Sequence, residues 1–480
     1  MSIFKAYDVR GVYPTELNEE LAYKIGRAFV SFLPVNKVVV SKDMRESSES
    51  LKKELIRGIT DQGADVIEIE GLCSTPRNYF ACWHLKAPAS IMVTASHNPG
   101  KYNGFKFTRE EAIPISGDTG IKEIERLVDL DMSEIASGAR SDALAQSKPA
   151  ISEHAQEHAP TFRSAVLDRF ANPKKKGKVT KENIEEQYKK HVLSLIDADK
   201  IRPLKVVIDA GNGMGGRDLE LVLGDLPLKV VKMYFEPDGS FPNHEANPLK
   251  EENIADLKKR VVAEKADFGI ALDGDADRVF FVDEKGETVA ADFITSLIAE
   301  EILKEHKGSK ILYDLRSSWI VKENVEKNGG KSLMCRVGHA FIKEQMRQEK
   351  AAFAGELSGH FYFKDNFYTD SGIVAALKMI QIISEKGMKL SELIAPLNKY
   401  HCSGEINSEV EDKDAKMKEL ADIYKDGSVS WLDGIRVDFD DWWFNVRASN
   451  TEPLLRLNLE AKTKRLMEEK RDEILKVIRS

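Results

Sequence analysis

The sequence predicts an α/β protein with three related α/β domains and a C-terminal α+β domain. Strand-like apolar runs alternate with helix-like amphipathic runs along most of the chain, which is typical of α/β domains. A similar series of such runs recurs three times. In residues 401–480 the pattern changes, and apolar and polar positions alternate as they do in half-buried antiparallel strands.

The first copy begins with a strand predicted at KVVVS, residues 37–41. The amphipathic segment ESLKKELIRGITDQG predicts a helix after it, and ADVIEIE predicts the next strand. The copy closes with the apolar strand ASIMVTA, which runs directly into the polar residues SHNP. Unusual polar residues therefore begin where a buried strand is expected to end.

The second and third copies repeat this arrangement. The second opens with LKVVIDA, residues 204–210, and closes with ADFGIALD, which runs into DGDADR. The third opens with KILYDL, residues 310–315, and closes with AAFAGE, which runs into LSGH. Because ligand sites in open α/β sheets lie outside the carboxyl ends of strands, we expect the three polar loops to face one shared cleft.

The C-terminal segment predicts a small α+β domain. The runs IRVDFDD, WWFNVRA and LLRLNLEAK read as antiparallel strands, and KRLMEEKRDEILKVIRS reads as the last helix. Residues 136–180 are small, polar and weakly periodic, which predicts an insertion or flexible segment. We therefore expect four domains, at residues 1–185, 186–290, 291–400 and 401–480.

The composition indicates a soluble globular protein, with 42% hydrophobic and 31% charged residues. A net charge of −8 argues against nucleic acid as the main partner, for which a basic excess is expected. No apolar run approaches a membrane span, and the early charges of the N-terminus do not fit a signal peptide. The four cysteines match no common zinc-binding spacing. We expect a cytoplasmic protein, either a monomer or a small homo-oligomer.

The strongest local signal is DGDADR, residues 273–278. The alternate carboxylates of Asp273, Asp275 and Asp277 can converge on one hard cation, and oxygen ligands of this kind suit Mg²⁺ or Ca²⁺. Three carboxylates at the end of an apolar strand would repel one another without a cation. A solvated acidic turn is the alternative interpretation, but the apolar runs on both sides of the loop disfavour it.

Three further polar segments suit sugar and phosphate chemistry. In VTASHNPGKYNGFK, Ser96 is a candidate residue of a site that binds an anion, and the alternative is an ordinary polar surface loop. In GELSGH, Glu356, Ser358 and His360 alternate between glycines and suit sugar hydroxyls. In RASNTEP, the candidate phosphate cradle consists of Arg447, Ser449, Asn450 and Thr451. Either of the last two segments, taken alone, reads equally well as a hydrophilic turn.

Together these motifs offer a hydroxyl nucleophile, a divalent-cation site, a sugar-binding loop and a phosphate cradle. Phosphoryl transfer needs this combination, since it depends on charge neutralisation and positioning more than on covalent chemistry by the protein. TASHNP, DGDADR, GELSGH and RASNTEP, in this order, resemble the four signature loops of the α-D-phosphohexomutases. Within that family the chain is similar to the bacterial phosphomannomutase/phosphoglucomutase group, and the resemblance spans nearly the whole chain.

The resemblance implies four domains around a central active-site cleft and an isomerase that moves phosphate between the 1- and 6-positions of a hexose. It implies that Ser96 is the phosphoserine. The phosphoryl group would pass to the substrate, and the bound glucose or mannose 1,6-bisphosphate would turn around and return its other phosphate to Ser96. The implied Mg²⁺ ligands are Asp273, Asp275, Asp277 and an oxygen of phosphorylated Ser96.

The resemblance also assigns residues around the reacting groups. Lys106 is expected to be the general base, which requires a lowered pKa, with Arg10 and His97 in support. Further expected contacts to sugar or phosphate are Arg278, Arg316 and His339. Glu356 and Ser358 are expected to hold the 3- and 4-hydroxyls, which glucose and mannose share, and Leu357 replaces the methionine of the related GEMSGH loop.

Three alternatives to a mannose or glucose phosphate mutase stay open from the sequence. The first is a phosphoglucosamine mutase of the same family. The second is a metal-dependent sugar phosphatase in which an aspartate of DGDADR attacks phosphate directly. The third is an inactive protein that only binds sugar phosphates.

Overall fold

The computed structural model describes residues 2–130, 159–171, 175–449 and 454–480. They form three mixed sheets flanked by helices and one antiparallel sheet near the C-terminus. Within these ranges, no helix combines the length and the apolar character that a membrane span requires.

Six strands form the first sheet: β1 (Val9–Val12), β2 (Lys37–Lys42), β3 (Asp65–Ile69), β4 (Ala89–Val93), β5 (Tyr102–Arg109) and β6 (Val179–Glu182). Their order is β1-β5-β4-β2-β3-β6, in which β4, β2, β3 and β6 run parallel and β5 runs antiparallel to both of its neighbours. The accompanying helices are α1 (Glu19–Phe32), α2 (Ser48–Asp61), α3 (Thr75–His84), α4 (Lys122–Val128) and α5 (Ala159–Ala171). Helix α1 begins at the Asn18 cap, whose side chain accepts the amide hydrogen of Leu21.

The second sheet contains β7 (Leu204–Asp209), β8 (Leu228–Met233), β9 (Phe268–Leu272), β10 (Val279–Asp283) and β11 (Thr288–Val289). Its helices are α6 (Glu185–Leu193), α7 (Gly215–Leu223) and α8 (Glu251–Glu264). The order is β11-β10-β9-β7-β8, with β9, β7 and β8 parallel and β10 antiparallel.

The third sheet contains β12 (Lys310–Asp314), β13 (Lys331–Cys335), β14 (Phe353–Gly355), β15 (Phe361–Phe363) and β16 (Thr369–Asp370). Its helices are α9 (Ala291–Glu305), α10 (Trp319–Lys327), α11 (His339–Glu349), α12 (Gly372–Lys386) and α13 (Leu390–Ile394). The order is β13-β12-β14-β15-β16, with β13, β12 and β14 parallel and β15 antiparallel.

The fourth sheet contains β17 (His401–Cys402), β18 (Ile406–Glu409), β19 (Ser428–Ser430), β20 (Ile435–Asp438), β21 (Trp442–Ala448) and β22 (Leu454–Ala461). All of its pairings are antiparallel, and both β17 and β18 pair with β22. Its helices are α14 (Lys413–Ile423) and α15 (Lys464–Ile478). The predicted fold class is therefore confirmed.

The first three sheets place their polar loops in equivalent positions. In each sheet a buried parallel strand, β4, β9 or β14, is followed by a loop and then by an antiparallel neighbour. SHNP lies between β4 and β5, DGDADR between β9 and β10, and ELSGH between β14 and β15. The threefold repeat predicted from the sequence is thus a repeat of sheet topology. It places the three polar loops, which carry the candidate site residues, at the same position in each sheet.

The apolar cores differ in how far they extend. One continuous core joins the second and third sheets and reaches α3, so that Phe80, Phe268 and Phe353 belong to the same cluster. The fourth sheet has a core of its own that includes Phe444 and Leu457. The contacts between the third and fourth sheets include polar ones, as where Trp319 donates its amide hydrogen to the Glu460 carboxylate.

The segment 136–180 is not wholly the insertion or flexible loop that its composition predicts. Helix α5 buries Val166 and Phe170 in the core of the first sheet, and Arg27 of α1 donates to the Phe170 carbonyl. Strand β6 extends the sheet beside β3, although its side chains are exposed. Among the described side chains of α5, residues 165–171, Val166 and Phe170 are buried and the others are partly or fully exposed, which is consistent with the weak periodicity of this part of the sequence. Residues 136–158 and 172–174 lie outside the described residues.

Candidate active site

The three repeated loops meet in space. Ser96 Oγ donates a hydrogen bond to Asp273 Oδ2 at 2.9 Å, which joins the loops of the first and second sheets. The amide of Val279 donates to the carbonyl of Gly359, and this contact joins the second and third. The shared edge expected from the strand ends is therefore present among the described residues.

Ser96 is held in an uncommon conformation. It is 1% exposed, and its φ of 52° lies in the left-handed region, which a residue with a Cβ seldom adopts. Its amide donates to Thr94 Oγ1, and its hydroxyl lies 3.3 Å from His97 Nδ1. A strained backbone of this kind persists where surrounding contacts over-determine it, and such places concentrate at functional sites.

Arg45, which the sequence did not single out, supplies much of that restraint. Its buried guanidinium donates to the carbonyls of four residues in and beside the loop: Ser96, Asn98, Pro99 and Tyr102. Asp43 Oδ2 lies 3.2 Å from Arg45 Nε and balances the charge. On the other side, a Cβ on Gly274 would come within 2.5 Å of the Ser96 carbonyl oxygen, so only glycine fits there.

The carboxylates of Asp273, Asp275 and Asp277 form a compact cluster. Each offers an oxygen within 4.8 Å of the others, and all three residues are buried. Burial and the two neighbouring carboxylates hold the pKa of Asp273 well above its ordinary value. Asp275 Oδ1 is buried without a hydrogen-bond partner among the described residues. Crowded and incompletely paired carboxylate oxygens are suited to a hard divalent cation such as Mg²⁺.

Lys106 reaches this cluster from β5. Its Nζ donates to Asp275 Oδ2 at 2.7 Å and to Asp277 Oδ2 at 2.5 Å. Burial opposes the ammonium charge, but Asp275 and Asp277 outweigh it and hold the pKa of Lys106 well above its ordinary value. The lowered pKa expected for Lys106 as a general base is therefore wrong for this arrangement, because two carboxylates contact its ammonium. Lys106 therefore compensates part of the negative charge of the three carboxylates. Thr75, also missed from the sequence, donates its hydroxyl to Asp275.

Arg10 and His97 flank the serine. Arg10 lies on β1 opposite Gly104, and its guanidinium donates to Asp8 and to the Asn98 side chain, both at 2.7 Å. Burial, with Arg278 and Arg10 nearby, holds the pKa of His97 well below its ordinary value, so its ring is neutral at pH 7. The structure thus brings together Arg10, His97, Lys106 and the three aspartates.

The loop at residues 356–360 lies beside the aspartates. His360 Nε2 is 3.4 Å from Asp277 Oδ1, and Arg278 Nε lies 3.3 Å from the same ring nitrogen. Burial and Arg278 oppose protonation of His360, but Asp277 and Glu356 raise its pKa to about 9. Ser358 Oγ lies 3.0 Å from His360 Nδ1, and the Tyr362 hydroxyl donates to Glu356.

A buried ion pair between Lys343 and Asp370 lies next to His360. The sequence did not predict it. Lys343 Nζ lies 2.6 Å from Asp370 Oδ1, and both side chains are fully buried. Asp370 Oδ2 is 3.7 Å from His360 Nε2. The ring of His339 lies 6.3 Å from that of His360, and its Nδ1 is buried with no partner among the described residues. His339 therefore lies beside His360, and its contact with a sugar stays a prediction.

Alternating charges connect this cluster to the fourth sheet. Arg316 pairs with Asp314 at 3.0 Å and lies 3.5 Å from Glu356. On its other side Arg316 lies 3.6 Å from Glu405, which also pairs with Arg447 at 3.1 Å.

Two of the four residues predicted for the phosphate cradle can be placed. Arg447 and Ser449 are both buried at the end of β21. Asn450 and Thr451 lie outside the described residues. Buried hydroxyl, carboxylate, imidazole and guanidinium groups, lining the meeting edges of four sheets, define a site chemically suited to a phosphorylated polyol.

Comparisons with known proteins identify the family of the chain. Four family models for phosphoglucomutase/phosphomannomutase match the chain: alpha/beta/alpha domain I at residues 1–134, domain II at 186–286, domain III at 290–400 and the C-terminal domain at 405–477. The chain therefore belongs to the phosphoglucomutase/phosphomannomutase family, which confirms the resemblance read from the four motifs.

Individual relatives match over nearly their whole length. The chain is 41% identical to phosphohexose mutases of Xanthomonas campestris pv. campestris (strain B100), with 99% of each chain covered. It is 40% identical to a phosphomannomutase of Vibrio cholerae, covering 100% of this chain and 98% of the relative. A crystal structure of a phosphoglucomutase/phosphomannomutase family protein from Burkholderia thailandensis superposes with a TM-score of 0.83 at 30% identity, covering 99% and 96% of the two chains.

Proposed function

We propose that this chain is a phosphohexose mutase that interconverts hexose 1-phosphates and hexose 6-phosphates of glucose, mannose or both. The observation that carries the proposal is the hydrogen bond from the buried Ser96 hydroxyl to Asp273, within a cluster of three aspartates. A hydroxyl beside a cation site suits phosphoryl transfer, because the cation can neutralise the charge of a phosphoryl group that the hydroxyl carries. The relatives named above as phosphohexose mutases and phosphomannomutase support the same class of reaction.

In the proposed cycle, phosphorylated Ser96 is the phosphoryl donor. Mg²⁺, held by the three aspartates and a phosphoserine oxygen, would neutralise charge on the transferring group. Lys106 takes the proton of the attacking sugar hydroxyl, and Arg10 with neutral His97 orients the phosphoryl oxygens. The P–O bond to Ser96 breaks as the bond to the sugar oxygen forms, which leaves a 1,6-bisphosphate. After this intermediate turns around, Ser96 receives the other phosphoryl group.

Substrate binding would be divided between the third and fourth sheets. Glu356 and Ser358 hold sugar hydroxyls, with His360 between them and the aspartates. Arg447 and Ser449 hold the phosphate that is not being transferred, and Arg278, Arg316 and His339 complete the contacts. Hydroxyls shared by glucose and mannose carry this recognition, so both sugars fit, and a glucosamine phosphate is the nearest competitor within the family.

The direct test is to measure conversion of mannose 1-phosphate and of glucose 1-phosphate to the 6-phosphates, with Mg²⁺ and a 1,6-bisphosphate primer. Peptide mapping of the purified protein should locate a phosphoryl group on Ser96. Glucosamine 1-phosphate is assayed alongside, and a preference for it would reassign the substrate. Absence of turnover on all three sugars would contradict the proposal.

The hydrogen bonds by which Arg45 holds the Ser96 loop in place should be needed for a normal kcat. In Arg45→Lys the charge beside Asp43 is kept, but one ammonium has too few donors for four carbonyls. A misplacement of about 1 Å at a reacting group costs up to roughly 10²-fold in rate, so we expect kcat to fall about tenfold to a hundredfold. KM should change little, because Arg45 holds the serine loop and not the substrate. Steady-state kinetics measure both constants.

The matched control is Arg57→Lys, since the Arg57 side chain is 54% exposed on α2. It should leave both constants unchanged. Thermal unfolding of both variants separates misplacement from loss of the fold. If Arg45→Lys folds normally and retains full kcat, the restraint has no catalytic role.

A further inference from the structure

Three arginines converge on one carboxylate where the third and fourth sheets meet. Glu405 Oε2 lies 3.1 Å from Arg447 and 3.6 Å from Arg316, and its Oε1 lies 3.4 Å from Arg456. Arg316 follows β12, whereas Arg447 and Arg456 lie on β21 and β22. The side chains of Arg316 and Arg447 are only 8% and 9% exposed, so both charges need a nearby anion.

The carboxylate does not use all the donors that face it. A guanidinium offers five N–H donors, and Arg447 contacts Glu405 through Nη2. Arg447 Nε is buried with no hydrogen-bond partner in the described ranges. A phosphate dianion, with more oxygens and more charge, would satisfy these donors better than one carboxylate does. The cluster is therefore an anion site that Glu405 occupies incompletely.

We propose that Glu405 is the resident anion of this arginine cluster and that it exchanges with the phosphate group of the substrate during each cycle. This inference rests on the proposed mutase function, in which the bisphosphate must leave the cluster, turn and bind again. When phosphate enters, it displaces the carboxylate from Arg447. When phosphate leaves, Glu405 returns, so that the buried charge of Arg447 is not left without an anion beside it, whereas Arg316 keeps its pair with Asp314 throughout.

The position of Glu405 permits this exchange. Its side chain is 28% exposed, and the residue lies just before β18 begins at Ile406. Burial opposes its ionisation, but Arg447, Arg316 and Arg456 lower the pKa of Glu405, so the carboxylate is charged at neutral pH. A charged carboxylate competes with phosphate for the same donors. If Glu405 instead positioned the arginines for phosphate, the carboxylate would strengthen phosphate binding. Removing its charge would then raise the phosphate Kd, whereas removing a competitor lowers it.

The test is Glu405→Gln in the full-length protein, which keeps the side-chain shape and removes its charge. Because one partly exposed charge pair is lost, we expect the Kd for inorganic phosphate, measured by calorimetry, to fall about fivefold to tenfold. KM for the hexose 1-phosphate should fall with it. We expect kcat to fall as well, because the bisphosphate leaves the cluster more slowly. Glu409→Gln, at an exposed position on β18, is the matched control and should change none of these values.

Weaker or unchanged phosphate binding in Glu405→Gln would overturn the proposal. Glu405→Asp keeps the charge but withdraws it from the arginines, and we expect its phosphate Kd to lie between those of the wild type and the glutamine variant. If the glutamine variant does not fold, the aspartate variant is the test. A phosphate Kd for Glu405→Asp that is equal to or higher than that of the wild type would then overturn the proposal. If the wild type shows no mutase turnover, the function proposed above fails, whereas the phosphate titration still decides whether Glu405 competes with anions.

Discussion

Ser96→Ala is expected to abolish mutase turnover. The substitution removes the oxygen that would carry the phosphoryl group, and loss of a covalent nucleophile costs at least roughly 10³-fold in comparable enzymes. Coupled assay of hexose 6-phosphate formation measures the loss. Intact mass spectrometry should show that the phosphorylated species is absent. The fold should be retained, because the site of substitution is a loop and the hydroxyl contacts that are lost are those to Asp273 and His97.

The control for this variant is Ser90→Ala. Ser90 is a buried serine on β4 that bonds to Asn78 and lies outside the candidate site. Its removal should affect stability more than kcat. A metal-dependent phosphatase that attacks with an aspartate would give the reverse pattern, since Ser96→Ala would stay active while Asp273→Asn would not. Retained activity in Ser96→Ala would therefore contradict the phosphoserine mechanism.

Much of the fold was predictable because its signals are local. Apolar runs such as ASIMV and FGIAL form strands β4 and β9, and each is buried along its whole length. The polar residues after those strands must then lie at the carboxyl ends of a sheet. This geometry, together with the three repeats, is enough to predict from the sequence alone that Ser96 and Asp273 lie at one edge.

The roles of the remaining site residues could not be predicted, because they come from contacts with residues far away in the sequence. Arg45 lies just after β2 and reads as an ordinary surface charge, yet it braces a loop some fifty residues along the chain. The pairs Lys343–Asp370 and Arg447–Glu405 likewise join residues far apart in the sequence. Helix α5 was missed for a different reason, since only Val166 and Phe170 are buried among its described side chains, residues 165–171. Predicting these features requires the tertiary packing itself.

Lys106→Met should separate two roles of the buried lysine. The substitution leaves three buried carboxylates without the ammonium that pairs with two of them. Breaking a buried pair in this way costs about 3–5 kcal/mol, so the metal-free variant should unfold at a clearly lower temperature. Mg²⁺ should restore much of that stability and bind more tightly than in the wild type, because it no longer competes with Lys106. Thermal unfolding over a Mg²⁺ titration measures both effects.

Turnover at saturating Mg²⁺ then decides whether Lys106 is the base. If Lys106 takes the proton of the sugar hydroxyl, kcat should stay about 10²- to 10⁴-fold low even when the variant is fully loaded and folded. If Lys106 only compensates charge, Mg²⁺ should return kcat to near the wild-type value, and the base must be sought elsewhere. Lys101→Met is the matched control, because Lys101 is exposed directly before β5 and should change neither stability nor turnover. The cation that replaces Lys106 between Asp275 and Asp277 would also release its ammonium from the two contacts that hold its pKa high.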